Sequence, residues 1–288
     1  MFEILNKSHE GSDNYRFDIQ APLIAKKARP GQFIILRLDE HGERIPLTLC
    51  DWNMTSGSIT VFIHVVGKSS LQMASMDKGQ SILDIVGPLG NPTKIDNFGR
   101  VVLVGGGTGI AAIHPIAKSL TKAGNHTISI LGAKTQNHLV LLDEMKQVSS
   151  EVRLVTNDGS SGTKGFVTDE LRSIMASHET IHRVIAVGPL VMMKAVADLT
   201  RSRQIKTLAS MNPLMVDGTG MCGACRVTVG GEMKFACVDG PEFDAHEVDF
   251  DGVINRMKTY TMEEREASEH YQQEHGDLCR LSETPEIG

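Results

Sequence analysis

Cysteines number five in 288 residues, too few for a disulfide scaffold. One tryptophan and three tyrosines provide no aromatic platform of the kind that single-strand nucleic-acid binders use. The longest apolar runs, such as Val101 to Val104 and Val184 to Val187, span about four residues, against the roughly 20 needed to cross a bilayer. Positive charge is not in excess. With 35 Asp and Glu against 29 Lys and Arg, the formal net charge is −6, which removes any general pull toward nucleic acid or an anionic membrane. Met1-Phe2-Glu3-Ile4 shows no basic region leading into an apolar stretch, so the expected location is cytoplasmic rather than secreted.

What is present falls into segments. The length suits roughly two domains of about 150 residues. Residues 1–97 read as short strands separated by turn residues: Phe33 to Leu38 after Pro30-Gly31, and Ile59 to Val66 after Gly57, with one short helix at Ser69 to Met76. Strands without alternating helices predict a small antiparallel barrel or sandwich. Residues 98–210 alternate. Strands at 101–104, 127–131, 152–156, 184–187 and 205–209 are interleaved with helices at 110–123, 139–148, 168–176 and 192–200, the pattern of a doubly wound parallel α/β sheet. Residues 211–243 are rich in glycine and cysteine, and are too few to fold on a core of their own without a metal or a docking surface. Residues 244–288 form an acidic, polar tail with one helix predicted from Val253 to Tyr271. On that tail Val253, Ile254, Met257, Tyr260 and Met262 give an apolar side, which is expected to dock a partner; packing onto the chain's own core is the alternative.

Three cysteines are clustered and two, Cys50 and Cys279, are isolated. The cluster reads Asp217-x4-Cys222-x2-Cys225-x11-Cys237, the ligand spacing of a plant-type 2Fe-2S centre with Asp in the first place. Gly218, Gly220 and Gly223 give the loop the backbone freedom to wrap such a centre. A zinc knot and an unliganded trio of buried thiols are the alternatives; the nearest histidine, His246, lies nine residues beyond Cys237. A second motif, Gly105-Gly106-Gly107-Thr108-Gly109, lies between a predicted strand and helix, where backbone amides can cradle phosphate. It departs from G-x-G-x-x-G, because Ile110 stands where the third glycine belongs, and a plain tight turn is its alternative. After the next strand comes Lys134 rather than the acid that would hold a ribose, and Lys134 could meet a 2′-phosphate. A third group comprises Arg44 to Cys50, Val65 to Ser70 and Gly87-Pro88-Leu89-Gly90, whose cation, hydroxyls and helix N-terminus suit a pyrophosphate.

In this order the pieces resemble the ferredoxin-reductase-like electron-transfer flavoproteins. The cysteine loop is similar to the cluster domain of dihydroorotate dehydrogenase B electron-transfer subunits. Asp217, with Asn212 to Gly223 and Phe235 to Phe243, is more similar to the small subunits of electron-bifurcating NADH-dependent reduced ferredoxin:NADP oxidoreductases. The resemblance implies an antiparallel FAD-binding barrel, a parallel nucleotide-binding sheet and a small 2Fe-2S domain. It implies FAD held by Arg44, Pro46, Leu47, Thr48, Ile63, His64, Val65, Gly67, Ser69, Ser70, Gly87, Leu89 and Gly90. It places NAD(H) over Gly105, Gly106, Gly107, Thr108, Gly109, Asp158, Gly188, Pro189 and Met192, and the cluster on Asp217, Cys222, Cys225 and Cys237. No side chain is then catalytic, since hydride passes at the FAD. The implied partner is a larger flavoprotein subunit with its own FAD and 4Fe-4S clusters, reaching ferredoxin indirectly. The alternatives are a dihydroorotate dehydrogenase B-type subunit, a stand-alone reductase and a metal-stapled binding module.

Overall fold

A computed structural model describes residues 1–177 and 179–276, so Cys279 lies outside the described residues. The first unit is built from β1 (Phe2–His9), β2 (Asn14–Gln20), β3 (Phe33–Arg37), β4 (Arg44–Asn53), β5 (Ser58–His64), β6 (Ser81–Ile82) and β7 (Asp84–Leu89), with helices α1 (Pro22–Ala25) and α2 (Lys68–Ser75). The strands pair antiparallel in the order β6-β1-β2-β5-β4-β3-β7. The two edge strands are consecutive in the chain, which brings the sheet close to a closed barrel. Its interior is filled by Ile4, Phe17, Ile34, Leu36, Leu49, Ile59, Val61 and Ile63, with Met73 of α2.

The second unit contains β8 (Arg100–Gly106), α3 (Gly109–Lys122), β9 (His126–Ala133), α4 (Leu142–Val148), β10 (Glu151–Thr156), β11 (Thr163–Lys164), α5 (Val167–Ala176), β12 (Arg183–Val187), α6 (Leu190–Arg201) and β13 (Thr207–Ser210). Apart from the two-residue β11, which the sequence reading does not contain, these are the predicted elements with ends moved by a few residues. Their sheet runs β11-β10-β9-β8-β12-β13 in parallel. Successive side chains of β8 face opposite sides. Val101 and Leu103 enter a core with α3, while Val102 and Val104 enter another with α5 and α6. The order reverses between β8 and β12, and ligands bind at the carboxyl ends of strands at such a point.

The cysteine-bearing segment does not stand apart. It contributes the hairpin β14 (Arg226–Val229) and β15 (Glu232–Phe235), and then β16 (Glu242–Asp244), which pairs antiparallel with β13 and extends the α/β sheet. The expected boundary at residue 243 therefore falls inside a strand. Val227, Ala236, Phe243 and both buried cysteines join the core shared with α5 and α6, which is the docking surface that so short a segment requires.

The predicted helix from Val253 to Tyr271 is two helices, α7 (Phe250–Met257) and α8 (Thr261–Glu274). Thr259, Tyr260 and Thr261 are weak helix formers, and the Thr261 hydroxyl and amide both donate to the Lys258 carbonyl, closing the break. Phe250 and Val253 are buried in the sheet's core, whereas Met257, Tyr260 and Met262 are exposed. The apolar side read from sequence thus divides between core and solvent. Among the described residues no helix is long and apolar enough to cross a membrane.

Candidate functional site

One cavity of about 960 Å³ lies where the three segments meet. The barrel supplies Pro46, Leu47 and Thr48 of β4 and His64 at the end of β5; the α/β unit supplies Gly106, Gly107, Thr108, Gly109, Gly188, Pro189 and Met192; the third segment supplies Met211, Asn212, Met215 and Pro241. Eleven of the sequence-predicted cofactor residues thus share one wall-to-wall space.

The glycine run lies at the switch point. A Cβ on Gly109 would stand 2.1 Å from the Val187 carbonyl oxygen, and one on Gly106 would stand 2.5 Å from Met192 Sδ. These two glycines therefore let the turn after β8 lie flat against the turn after β12. Gly107 differs: its φ is +56° and a Cβ there meets nothing within 4 Å. Open space above a backbone at a helix N-terminus is what an approaching phosphate requires, so the cradle fits a dinucleotide.

Other predicted residues lie elsewhere. Arg44 is exposed at the start of β4 and Ile63 is inside the barrel. The Ser69 hydroxyl donates to Glu43 at 2.5 Å, while Ser70 Oγ accepts from the Val66 and Gly67 amides and serves the α2 N-terminus itself. Val65 donates its amide to Asp13. Gly105 is packed under Ile110 and Ile113, and Gly87 against Ile34. Leu89 and Gly90 turn toward the cysteine loop, because Cβ atoms on Gly218 and Gly90 would stand 2.6 Å from Leu89 Cδ1 and 2.8 Å from Pro241 Cδ. Asn91 Nδ2 donates to the carbonyls of Val238 and Asp239, each at 3.0 Å. The turn read for flavin thus supports the cysteine loop. Asp158 is exposed, and the Ser160 amide and hydroxyl hold its carboxylate below the usual range.

The four expected ligands form two pairs. Cys225 Sγ and Cys237 Sγ are buried 3.2 Å apart. Asp217 accepts from the Thr219 amide at 2.8 Å and from the Cys222 amide at 2.9 Å, beside the exposed Cys222. Among the described residues no three His, Cys, Asp or Glu side chains gather about one point. A tetrahedral zinc needs all four there, whereas four ligands over two irons give two each. Three thiols and a carboxylate in two pairs therefore fit a two-iron centre. Burial, reinforced by the hydrogen bond from Cys225, pushes the Cys237 thiol up to about 12, so ligation there must displace a proton. Asp217 is the opposite case: the Thr219 amide, with the Cys222 amide, holds it below the carboxylate range and keeps it charged.

Sequence reasoning missed several lining residues. Asn14, Phe33, Lys134, His138, Asn157, Phe166 and Met215 reach the cavity from six places in the chain, and no spacing links them. Lys134 alone had a signal, as the cation standing where an acid was expected.

Two family models match, the oxidoreductase NAD-binding domain over residues 103–198 and the iron–sulfur cluster binding domain of dihydroorotate dehydrogenase B over residues 212–249. The chain is 48% identical to a dihydroorotate dehydrogenase B (NAD(+)) electron transfer subunit homolog of Thermotoga maritima, covering 93% of this chain and 95% of that protein. It is 33% identical to the electron transfer subunit of dihydroorotate dehydrogenase B from Bacillus caldolyticus, covering 81% and 92%. A solved chain from a study of flavin-based electron bifurcation in the NADH-dependent reduced ferredoxin-NADP oxidoreductase superposes with a TM-score of 0.89 at 46% identity, covering 94% and 97%. Phthalate dioxygenase reductase shares the fold alone, at 16% identity and a TM-score of 0.60. With its nucleotide cradle and its paired thiols in the segment beside it, the chain belongs to the family of dihydroorotate dehydrogenase B electron-transfer subunits and their homologues, which are oxidoreductase subunits.

Proposed function

We propose that this chain is the small subunit of an electron-bifurcating NADH-dependent reduced ferredoxin:NADP oxidoreductase, passing electrons between NAD(H), FAD and a 2Fe-2S cluster and a larger flavoprotein subunit. The observation that carries this reading is the shared cavity, in which Met211, Asn212, Met215 and Pro241 of the cysteine segment face the glycine cradle. FAD supplies the exchange between two-electron and one-electron chemistry, and the cluster supplies one-electron transfer. The chain's own residues do the positioning. Gly107 would admit a pyrophosphate to backbone amides while Gly109 lets the two turns pack, Gly188 and Pro189 would face the nicotinamide, and Pro46, Leu47 and Thr48 would face the flavin. Asp217, Cys222, Cys225 and Cys237 would hold the cluster. Asp158 orders its own loop through Ser160, next to Asn157 of the cavity wall. The partner, on this reading, carries a second FAD and 4Fe-4S clusters.

One observation favours the bifurcating group over dihydroorotate oxidation: Asp217 stands where the cluster spacing would put its first ligand. Identity does not separate the two, at 46% to the bifurcating enzyme's chain and 48% to the Thermotoga homolog. The matched cluster-domain model keeps the dihydroorotate type as the second reading. Purification of the native complex tests both. NADPH-driven ferredoxin reduction that depends on NAD⁺ supports the first, bleaching by dihydroorotate supports the second, and a complex without flavin or labile sulfide overturns both.

A further inference from the structure

Three groups able to carry positive charge face the cavity at the seam between barrel and α/β unit. Lys134 and His138 come from the loop after β9, and His64 from the end of β5. Among the described residues no carboxylate lines this cavity, and Lys134 enters no ion pair among them. In a protein of net charge −6 that is a local reversal of sign.

The seam is built to hold these groups in place. His138 Nε2 lies 3.2 Å from Ser12 Oγ on the β1–β2 turn, and its Nδ1 lies 2.9 Å from Thr135 Oγ1. Gly11 makes the close approach, since a Cβ there would stand 2.6 Å from the Asn137 carbonyl oxygen. His64 Nδ1 lies 3.1 Å from Asn14 Oδ1, which assigns the neutral ring's proton to Nδ1. Burial lowers the His64 pKa, Asp13 opposes that shift, and His138 and Lys134 add to it. An anion entering between them would reverse the repulsion.

We propose that Lys134, His138 and His64 form a two-domain cation site for the phosphates of a bound dinucleotide, flavin or nicotinamide, so that the cofactor is held by both units at once. The inference rests on the functional reading above and adds residues to it. Its chemistry is that of charge-assisted hydrogen bonds to phosphate oxygens.

The test uses the purified holoprotein and Lys134→Ala, His138→Gln and Lys134→Arg variants. FAD release on dilution is followed by flavin fluorescence, and NAD⁺ affinity by calorimetry. Loss of a charge-assisted phosphate contact should change one of these by about tenfold in Lys134→Ala, with Lys134→Arg close to wild type. Faster FAD release assigns the site to the flavin, and weaker NAD⁺ binding to the nicotinamide. His138→Gln should act in the same direction. Unchanged iron content shows that the variants are folded. Wild-type values within twofold in both measurements, for both loss variants, overturn the inference. A wild-type protein that holds flavin under that result leaves the functional reading standing, and one that holds none overturns that reading separately.

Discussion

Gly107 is the residue whose conformation and surroundings ask for a ligand most directly. Its φ of +56° and the empty space at its Cβ position mean that a side chain there starts out into open space, where a ligand would approach. The left-handed backbone costs a β-branched residue about 1–2 kcal/mol, a modest fraction of a domain's stability. Gly107→Val is expected to keep flavin and cluster absorbance and to lower the rate of flavin reduction by NADH at least about tenfold in stopped-flow, because the pyrophosphate is denied its amides. Reduction at the wild-type rate would make the glycine run a plain turn. Asp217 and Cys225 divide the metal chemistry. Cys225 is buried against Cys237, so Cys225→Ser should cut the iron content at least by about half. Asp217→Cys should keep the iron and shift the cluster's potential, since thiolate is a softer donor than carboxylate. An unchanged potential and spectrum would remove Asp217 from the ligand set. These residues were legible in sequence because each motif is a short local spacing. Lys134 and His138 meet His64 only after two units have folded, so no window of sequence contains that grouping.

At the scale of elements, periodicity carried the alternating strands and helices from β8 to β13, and it carried less beyond them. The apolar positions Val253, Ile254 and Met257 belong to a helix that the sequence extends to Tyr271, but which ends where Thr261 bonds back to Lys258. Side-chain pattern alone does not say whether an apolar stripe meets its own chain or another one. In α7, Phe250 and Val253 enter the core beneath the cysteine segment and Lys194 pairs with Asp251 at 2.6 Å, while α8 buries no residue. Truncation after Tyr260 should therefore leave the melting temperature within about 3 °C of the full chain, as loss of exposed surface costs little. Phe250→Ala should destabilise by about 3–5 kcal/mol and be read as a fall in melting temperature. If the truncated chain loses cofactors and Phe250→Ala does not destabilise, the order of importance of the two helices is reversed.

Across the whole molecule, the barrel, the parallel sheet and the cysteine segment are joined at Glu242. This residue lies on β16 at the sheet edge and accepts from Thr93 Oγ1 at 2.5 Å, in the stretch that leaves the barrel. Arg183 of β12 is its nearby cation, held with its guanidinium 3.7 Å from the centre of the Phe98 ring. Burial raises the Glu242 pKa, and the Thr93 hydroxyl and Arg183 offset only part of that. An acid whose folded pKa is raised is favoured by the fold when protonated. Below the unfolded value of about 4.3 both states are protonated and there is no penalty; as the pH rises toward the folded value, the unfolded chain ionises first and stability falls. Glu242→Gln keeps an acceptor for Thr93 and removes the titration. Its melting temperature should therefore gain on wild type as the pH rises from 5 to 8, with the two curves converging on the acid side. A constant offset across that range would mean that Glu242 is ionised throughout and that its pairing with Arg183 outweighs burial.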